Sequence, residues 1–274
     1  MRAWIRVWAI LLPLVWASVA TAWEEGGIDV DVELVLAVDV SRSISPEELI
    51  LQRVGYAEAL TSPEVLTAIR DGFLGRIAVT YFEWAGADMQ RTVVDWSLIE
   101  TEADALAVAD LIRGNPAGTA ARTSLSAALI HAAGRFEGNG FNGTRRIIDI
   151  SGDGPNNAGP PVQPVRDAVV ARGIVINGLP LLTNTGPGGF QRLDDLDLFF
   201  RDCVIGGPGA FLIPVTSWQQ FAEAVRRKLV LEIADLRLPA PATASGAVVP
   251  AQFAASGHDC MIGERMWNQR WMAP

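Results

Sequence analysis

Along this sequence, short apolar runs alternate with segments in which apolar residues recur every three to four positions. The runs predict β-strands, and the wider spacing predicts amphipathic helices. The predicted strands cover 31–39, 76–82, 90–96, 145–150, 173–179 and 210–215. The predicted helices follow Ser45 and Ser62 or cover 101–113, 125–136, 162–172 and 218–233.

The order of these elements predicts an α/β fold: a doubly wound, mostly parallel six-stranded sheet with helices on both faces. Strand 90–96 follows strand 76–82 after a short turn, so we expect these two to pair antiparallel at one edge. Local start signals agree with the pattern. Ser45 stands at an N-cap position and is followed by Pro46 and, three residues after the cap, by Glu48. One domain over 30–235 accounts for all of these elements.

The first 22 residues have the features of a secretory signal peptide. Arg2 and Arg6 provide a positive start, 7–16 is apolar, and a small-x-small cleavage site lies at 20–22. A membrane-spanning helix needs about 20 apolar residues, more than this run offers. We therefore predict cleavage of 1–22, a mature chain without a membrane span, and a periplasmic or secreted location.

The end of the chain predicts a tethered tail. Residues 236–257 are rich in proline and alanine and are interpreted as a linker, and 258–274 form a short C-terminal segment. Cys203 and Cys260 are the two cysteines of the chain. In an oxidising compartment a disulfide is the expected state of such a pair. The tail is therefore predicted to be tied back to the domain through Cys260.

The charge of the chain argues against one class of partner. It has 22 basic and 31 acidic residues, a net charge of −9. Loss of Arg2 and Arg6 with the signal peptide leaves 20 basic residues against 31 acidic ones. Nucleic-acid binding depends on neutralising phosphates with Lys and Arg. We therefore expect no nucleic-acid partner.

Candidate ligands for a metal ion are predicted at the carboxyl edge of the sheet, where doubly wound folds bind their ligands. The first strand runs into a D-x-S-x-S pattern formed by Asp39, Ser41 and Ser43. Asp153 lies on a glycine-rich turn after the fourth strand, and Thr123 precedes a helix. Carboxylate and hydroxyl oxygens without His or Cys suit Mg²⁺, Mn²⁺ or Ca²⁺. Two aspartates would balance a divalent ion and leave it able to bind a further carboxylate.

Each of these residues also has a purely structural interpretation. Thr123 could be only a helix N-cap, a position that threonine favours. Ser41 and Ser43 could hydrogen-bond within their own turn, and Asp153 could be an ordinary turn aspartate. Two further acids, Glu83 and Asp149, occur inside apolar strands; they are either outer groups of the site or hydrogen-bonded acids of the core.

Over 30–235 the chain resembles a von Willebrand factor type A domain. In that family a D-x-S-x-S loop, a threonine from a second loop and an aspartate from a third form the metal-ion-dependent adhesion site (MIDAS). Asp39, Ser41 and Ser43 match the first loop, Thr123 the second and Asp153 the third. The resemblance implies metal-mediated binding of a protein ligand that offers an Asp or Glu carboxylate.

Two segments, 151–161 and 204–211, resemble a bacterial exported branch of the family whose function is unknown. Two residues depart from the usual motif. Arg42 occupies a position often held by glycine, which places a charge next to the site. Gly152 stands where threonine usually precedes the aspartate, which removes a hydroxyl near the metal.

These observations predict an exported, divalent-metal-dependent protein-binding module that is not an enzyme. Two alternatives stay open: a metal-assisted phosphoester hydrolase, and a structural domain with an inactive metal site. Residues 138–143 satisfy G-x-G-x-x-G, but they precede a strand and do not link a strand to a helix, which argues against dinucleotide binding.

Overall fold

A computed structural model describes residues 26–114, 118–183, 193–234, 249–250 and 257–272. The predicted signal peptide and most of the predicted linker lie outside these ranges. None of the described helices is both long enough and apolar enough to cross a membrane.

One sheet forms the centre of the domain. Its strands are β1 (Ile28–Asp39), β2 (Ile77–Trp84), β3 (Gln90–Ile99), β4 (Phe141–Gly152), β5 (Ile174–Pro180), β6 (Phe211–Leu212) and β7 (Val249–Pro250). Their order across the sheet is β3-β2-β1-β4-β5-β6-β7. The first six are the predicted strands, and β3 pairs antiparallel with β2 at one edge, as expected.

The seventh strand was not predicted. β7 consists of two residues from the predicted linker and pairs antiparallel with β6 at the opposite edge of the sheet. A two-residue strand is too short to show an alternating pattern. The pairing therefore left no signal in the sequence.

The described helices are α1 (Pro46–Leu60), α2 (Pro63–Arg70), α3 (Glu102–Arg113), α4 (Leu125–Gly134), α5 (Val162–Ala171), α6 (Leu196–Phe199), α7 (Phe221–Ile233) and α8 (Ile262–Met272). The start of α1 is as predicted: Ser45 and Glu48 form a reciprocal capping box. The predicted helix 218–233 differs at its start, where Trp218–Gln220 form a 3₁₀ turn before α7. α6, which continues into the π-helical turn Phe200–Val204, was not predicted because it is too short for periodicity to reveal.

The core lies on both faces of the sheet because alternate residues of β1 point in opposite directions. Leu34 and Leu36 belong to the cluster that packs against α1 and α7. Val35 and Ala37 belong to the cluster beneath α4 and α6. All four side chains are fully buried. β1 is a central strand, paired with β2 on one side and β4 on the other, and Asp39 is its last residue.

A disulfide joins Cys203 to Cys260, as predicted, with 5.5 Å between the two Cα atoms. Cys203 is buried in the core cluster below α6, and Cys260 packs partly against it. The bridge therefore anchors the segment that leads into α8. It spans 57 positions of the sequence, for which the chain-entropy model gives about 4 kcal/mol.

We predict that the double variant Cys203→Ser/Cys260→Ser loosens the tail while the sheet stays folded. Because the bridge fixes the start of α8, trypsin should cut at exposed Arg265 about tenfold faster in the variant than in the oxidised protein. Arg113, exposed at the end of α3, is the internal control and should be cut at the same rate in both proteins. Intact-mass spectrometry measures the cleavage over time. Equal rates of cleavage at Arg265 in the variant and the oxidised protein would contradict the prediction.

Candidate metal centre

Three loops meet at the carboxyl edge of the sheet. β1 ends at Asp39, and the neighbouring parallel strand β4 ends one residue before Asp153. The third loop leads into α4, and its residue Thr123 lies two positions before that helix. A backbone bridge between Ser41 and Ala120 holds the loop after β1 beside the loop before α4. The topology therefore brings together the residues that the sequence analysis selected.

Four of the five candidate side chains form one hydrogen-bonded group. The main-chain N–H of Ser41 donates to Asp39 Oδ1 at 2.7 Å. The hydroxyl oxygens of Ser41 and Ser43 are 2.9 Å apart. Ser43 Oγ donates to Asp153 Oδ1 at 2.8 Å, and Ser41 Oγ lies 3.5 Å from the same oxygen. The serines thus bridge the two carboxylates and do not only close their own turn.

Thr123 is the fifth candidate, and its main chain is fixed by the loop that follows β4. Its N–H donates to Asn157 Oδ1 at 2.9 Å, and its carbonyl accepts from Asn157 N at 2.9 Å. Its hydroxyl lies 3.9 Å from the position that a Cβ on Gly154, the residue after Asp153, would occupy. Ser124 is the N-cap of α4, so the interpretation of Thr123 as the cap is wrong.

The electrostatics of Asp39 favour a cation. Its side chain is completely buried, and among the described residues Oδ2 has no hydrogen-bond partner. Burial raises the pKa of Asp39 well above its ordinary value, the charge of Asp153 raises it further, and hydrogen bonds from Ser41 and from the main chain of Asp153 lower it. A buried carboxylate oxygen without a partner, beside a second carboxylate, is costly unless a proton or a cation neutralises it. The residues present therefore fit a divalent ion.

The chemical type of the candidate ligand atoms indicates which metal ions would fit the site. Within the described part of the chain no three His, Cys, Asp or Glu side chains cluster as a metal site. The candidate set contains two carboxylates, and its other members are hydroxyls. Such hard oxygen donors suit Mg²⁺, Mn²⁺ or Ca²⁺.

A cavity of about 260 Å³ opens beside these loops. Ser43 and Asp153 form one wall, and Leu182, Leu193 and Trp218 lie among the other lining residues. Small-molecule sites usually measure about 300–1,000 Å³. The cavity is therefore slightly smaller than the usual range for small-molecule sites.

Several residues that support the site were missed by sequence reasoning. Gln52 Nε2 donates to the main-chain oxygen of Asp39 at 3.2 Å. Asn156 Oδ1 accepts from Ser126 N at 3.1 Å, which ties the loop after β4 to α4. The only available signal was the pair of asparagines directly after Asp153-Gly-Pro, since amides in loops commonly bond to backbone.

The two strand acids belong to the core. Glu83 is fully buried and pairs with Arg53 at 2.5 Å and with Arg91 at 2.6 Å. Asp149 is fully buried and pairs with Lys228 at 2.8 Å. Neither makes a described contact with the candidate metal ligands, so of the two interpretations left open for them, the core one applies.

Known proteins support this description of the fold. A solved structure of proximal thread matrix protein 1 (PTMP1) from the mussel byssus is 17% identical, covers 76% of this chain and 49% of its own, and has a TM-score of 0.55. Another structure of that protein, described as having a zinc-occupied MIDAS motif, is 17% identical over 76% and 49%, with a TM-score of 0.52. The pilus adhesin SpaC from Lactobacillus rhamnosus GG is 10% identical over 81% and 38%, with a TM-score of 0.53.

At these identities the likeness shows the fold alone, and the chain spans about half or less of the length of these proteins. No match is found among the curated proteins. A family model described as "Protein of unknown function (DUF1194)" matches residues 29–237, most of the chain. The chain therefore belongs to the DUF1194 family, and its domain has the von Willebrand factor type A fold.

Proposed function

We propose that the protein is an exported module that binds a protein partner through a divalent cation. The observation that carries the proposal is the buried Asp39 Oδ2, which has no described partner and lies beside the second carboxylate, Asp153. Ser41, Ser43 and Thr123 would supply the remaining oxygen ligands. Mg²⁺ is the proposed ion, with Mn²⁺ and Ca²⁺ as substitutes.

The charge balance suggests what the partner offers. Asp39 and Asp153 together neutralise a divalent ion, and hydroxyls add no charge. When bound, the cation would supply a coordination position for a carboxylate from outside. We propose that an Asp or Glu side chain of the partner takes that position, and that exposed Arg42 on the first loop adds a favourable charge beside it.

The neighbouring cavity gives the partner a second point of contact. It shares Ser43 and Asp153 with the proposed metal site. A partner whose carboxylate reaches the metal would therefore place an adjacent side chain at the mouth of the cavity. The lining is mixed: half-buried Leu182, Leu193 and Trp218 offer that side chain apolar contacts, and Glu48 and Asp194 add acidic groups.

Two facts about known proteins support a binding role over a catalytic one. A similar structure is described as having a zinc-occupied MIDAS motif, and another is described as a pilus adhesin. We propose that this chain likewise binds a partner and is not an enzyme. The predicted signal peptide 1–22 and the disulfide both suit a periplasmic or secreted location, where disulfides persist.

The test is a pull-down from the source cell envelope with the oxidised protein as bait. We expect a partner to be retained in Mg²⁺, and to be lost in EDTA or when the bait carries Asp153→Asn. The matched control is Asp110→Asn, which alters an exposed aspartate of α3 and should retain the partner. Retention that is insensitive to both EDTA and Asp153→Asn would rule out metal-mediated binding.

A further inference from the structure

The C-terminal helix α8 lies against the loop that carries Asp153. It is outside the residues that the family model matches, and the Cys203–Cys260 disulfide anchors its start. The approach is close at Gly263, where an added Cβ would be 2.1 Å from the main-chain oxygen of Asn156. Only glycine fits at this point, so the helix and the loop are in direct backbone contact.

Two side chains on one face of α8 contact the site loops. Glu264 Oε1 accepts from Asn156 Nδ2 at 2.7 Å. Trp267 packs under the guanidinium of Arg122, whose carbon is 3.8 Å from the ring centre. Residues three apart lie on the same side of a helix, so both contacts can form at once.

The residues that α8 contacts are those that connect the loops of the proposed metal site. Asn156 binds Ser126 at the start of α4. Arg122 Nε donates to Asn157 Oδ1 at 3.2 Å, and its terminal nitrogen donates to the Asn157 carbonyl. Asn157 in turn fixes both main-chain groups of Thr123. α8 thus contacts Asn156, the residue before Asn157, and Arg122, the residue before Thr123. The bonds between Asn157 and Thr123 connect the two loops.

Arg122 is held in an unfavourable backbone conformation. Its φ is 77°, the left-handed region that residues other than glycine rarely adopt. Such a conformation persists only where surrounding contacts enforce it. The bonds to Asn157 and the packing on Trp267 are such contacts, so α8 contributes to keeping the residue before Thr123 in place.

We propose that α8 is a brace that positions the second and third loops of the site and thereby raises its affinity for the cation. Glu264 and Trp267 are its positioning residues, acting through Asn156 and Arg122. The inference rests on the proposed metal site. It goes beyond that proposal because it gives the C-terminal tail a role in metal binding.

The test compares three variants of the oxidised full chain by calorimetry with Mn²⁺. Glu264→Ala/Trp267→Ala removes both contacts and should weaken binding about tenfold, a usual effect of losing groups that support metal ligands. Glu264→Gln/Trp267→Phe keeps an acceptor and an aromatic face, and should restore most of the affinity. Asn268→Ala, at an exposed position of the same helix, is the control and should bind like wild type.

A second measurement separates the brace from the metal site. In EDTA, the amides of Thr123 and Asn157 should exchange hydrogen about tenfold faster in Glu264→Ala/Trp267→Ala than in wild type, because both amides bond across the braced loops. Wild-type exchange at these amides, or wild-type affinity in that variant, overturns the brace. A wild-type protein that binds no Mn²⁺ overturns the proposed function, and the exchange rates then decide the brace alone.

Discussion

We expect Asp39→Asn to abolish divalent-cation binding and to make the metal-free protein more stable than wild type. The substitution removes half of the charge that would neutralise the ion. It also removes a buried negative charge from beside Asp153, and both burial and that neighbour raise the pKa of Asp39. We expect a gain of about 1–3 kcal/mol in the metal-free protein, because a neutral amide replaces a buried carboxylate that has no counter-ion there.

Calorimetry with Mg²⁺ and Mn²⁺ measures the first effect, and urea unfolding in EDTA measures the second. Asp110→Asn is the control for both, because it makes the same substitution on the exposed side of α3. It should leave metal binding and stability at the wild-type values. Metal binding that persists in Asp39→Asn would exclude the proposed centre, and a loss of stability in EDTA would contradict the electrostatic argument.

The sequence predicted most of the sheet because its central strands are largely apolar and are buried on both faces. A run such as 31–39 is largely apolar, and its burial in the structure is nearly complete. The parts that were missed have no such signature. β7 has two residues and α6 has four, and their positions depend on tertiary contacts with β6 and the core cluster.

In the candidate site, the sequence alone predicts the residues that directly follow a strand or belong to a recognisable motif. Asp39 and Asp153 meet because parallel neighbouring strands end at the same edge. The support from Arg122, Asn157 and α8 could not be predicted in this way. Those contacts join segments separated by 34 to more than 100 positions, and no local pattern encodes which segments meet.

The role of Lys228 in the core could not be predicted from the sequence either. It is the only lysine of the chain, and from the sequence it had no assigned role. In the structure it is completely buried on α7, with Nζ at 2.8 Å from Asp149 Oδ1 and 2.5 Å from Glu232 Oε1. Asn177 Nδ2 donates to the same Glu232 oxygen at 2.9 Å. One ammonium group therefore faces two carboxylates in the interior of the protein.

The excess of buried negative charge affects the protonation of Glu232. Burial raises the pKa of Glu232 to about 7, the charge of Asp149 raises it too, and Lys228 opposes both. A carboxyl group whose pKa is higher in the folded than in the unfolded state binds its proton more tightly when folded. The stability that it contributes is therefore greatest at low pH and is lost as the pH rises from about 4.5 to about 7.

Lys228→Met should destabilise the protein by about 3–5 kcal/mol, because it leaves Asp149 and Glu232 buried without their counter-ion. The loss should be larger at about pH 8 than at about pH 5, where protonation relieves part of the repulsion. Urea unfolding at both pH values measures it. Arg227→Met, at the exposed neighbouring position, is the control and should change stability by no more than about 1 kcal/mol, the usual limit for a surface interaction.

A triple variant isolates the cause. Lys228→Met combined with Asp149→Asn and Glu232→Gln removes both negative charges together with the positive one, and the new amide oxygen at position 232 can still accept from Asn177. If uncompensated charge is the reason for the loss, the triple variant should recover at least about half of it, and its remaining loss relative to wild type should no longer be larger at about pH 8 than at about pH 5. A triple variant as unstable as Lys228→Met would instead assign the loss to packing around the lysine stem, and equal losses of Lys228→Met at both pH values would contradict the role of Glu232.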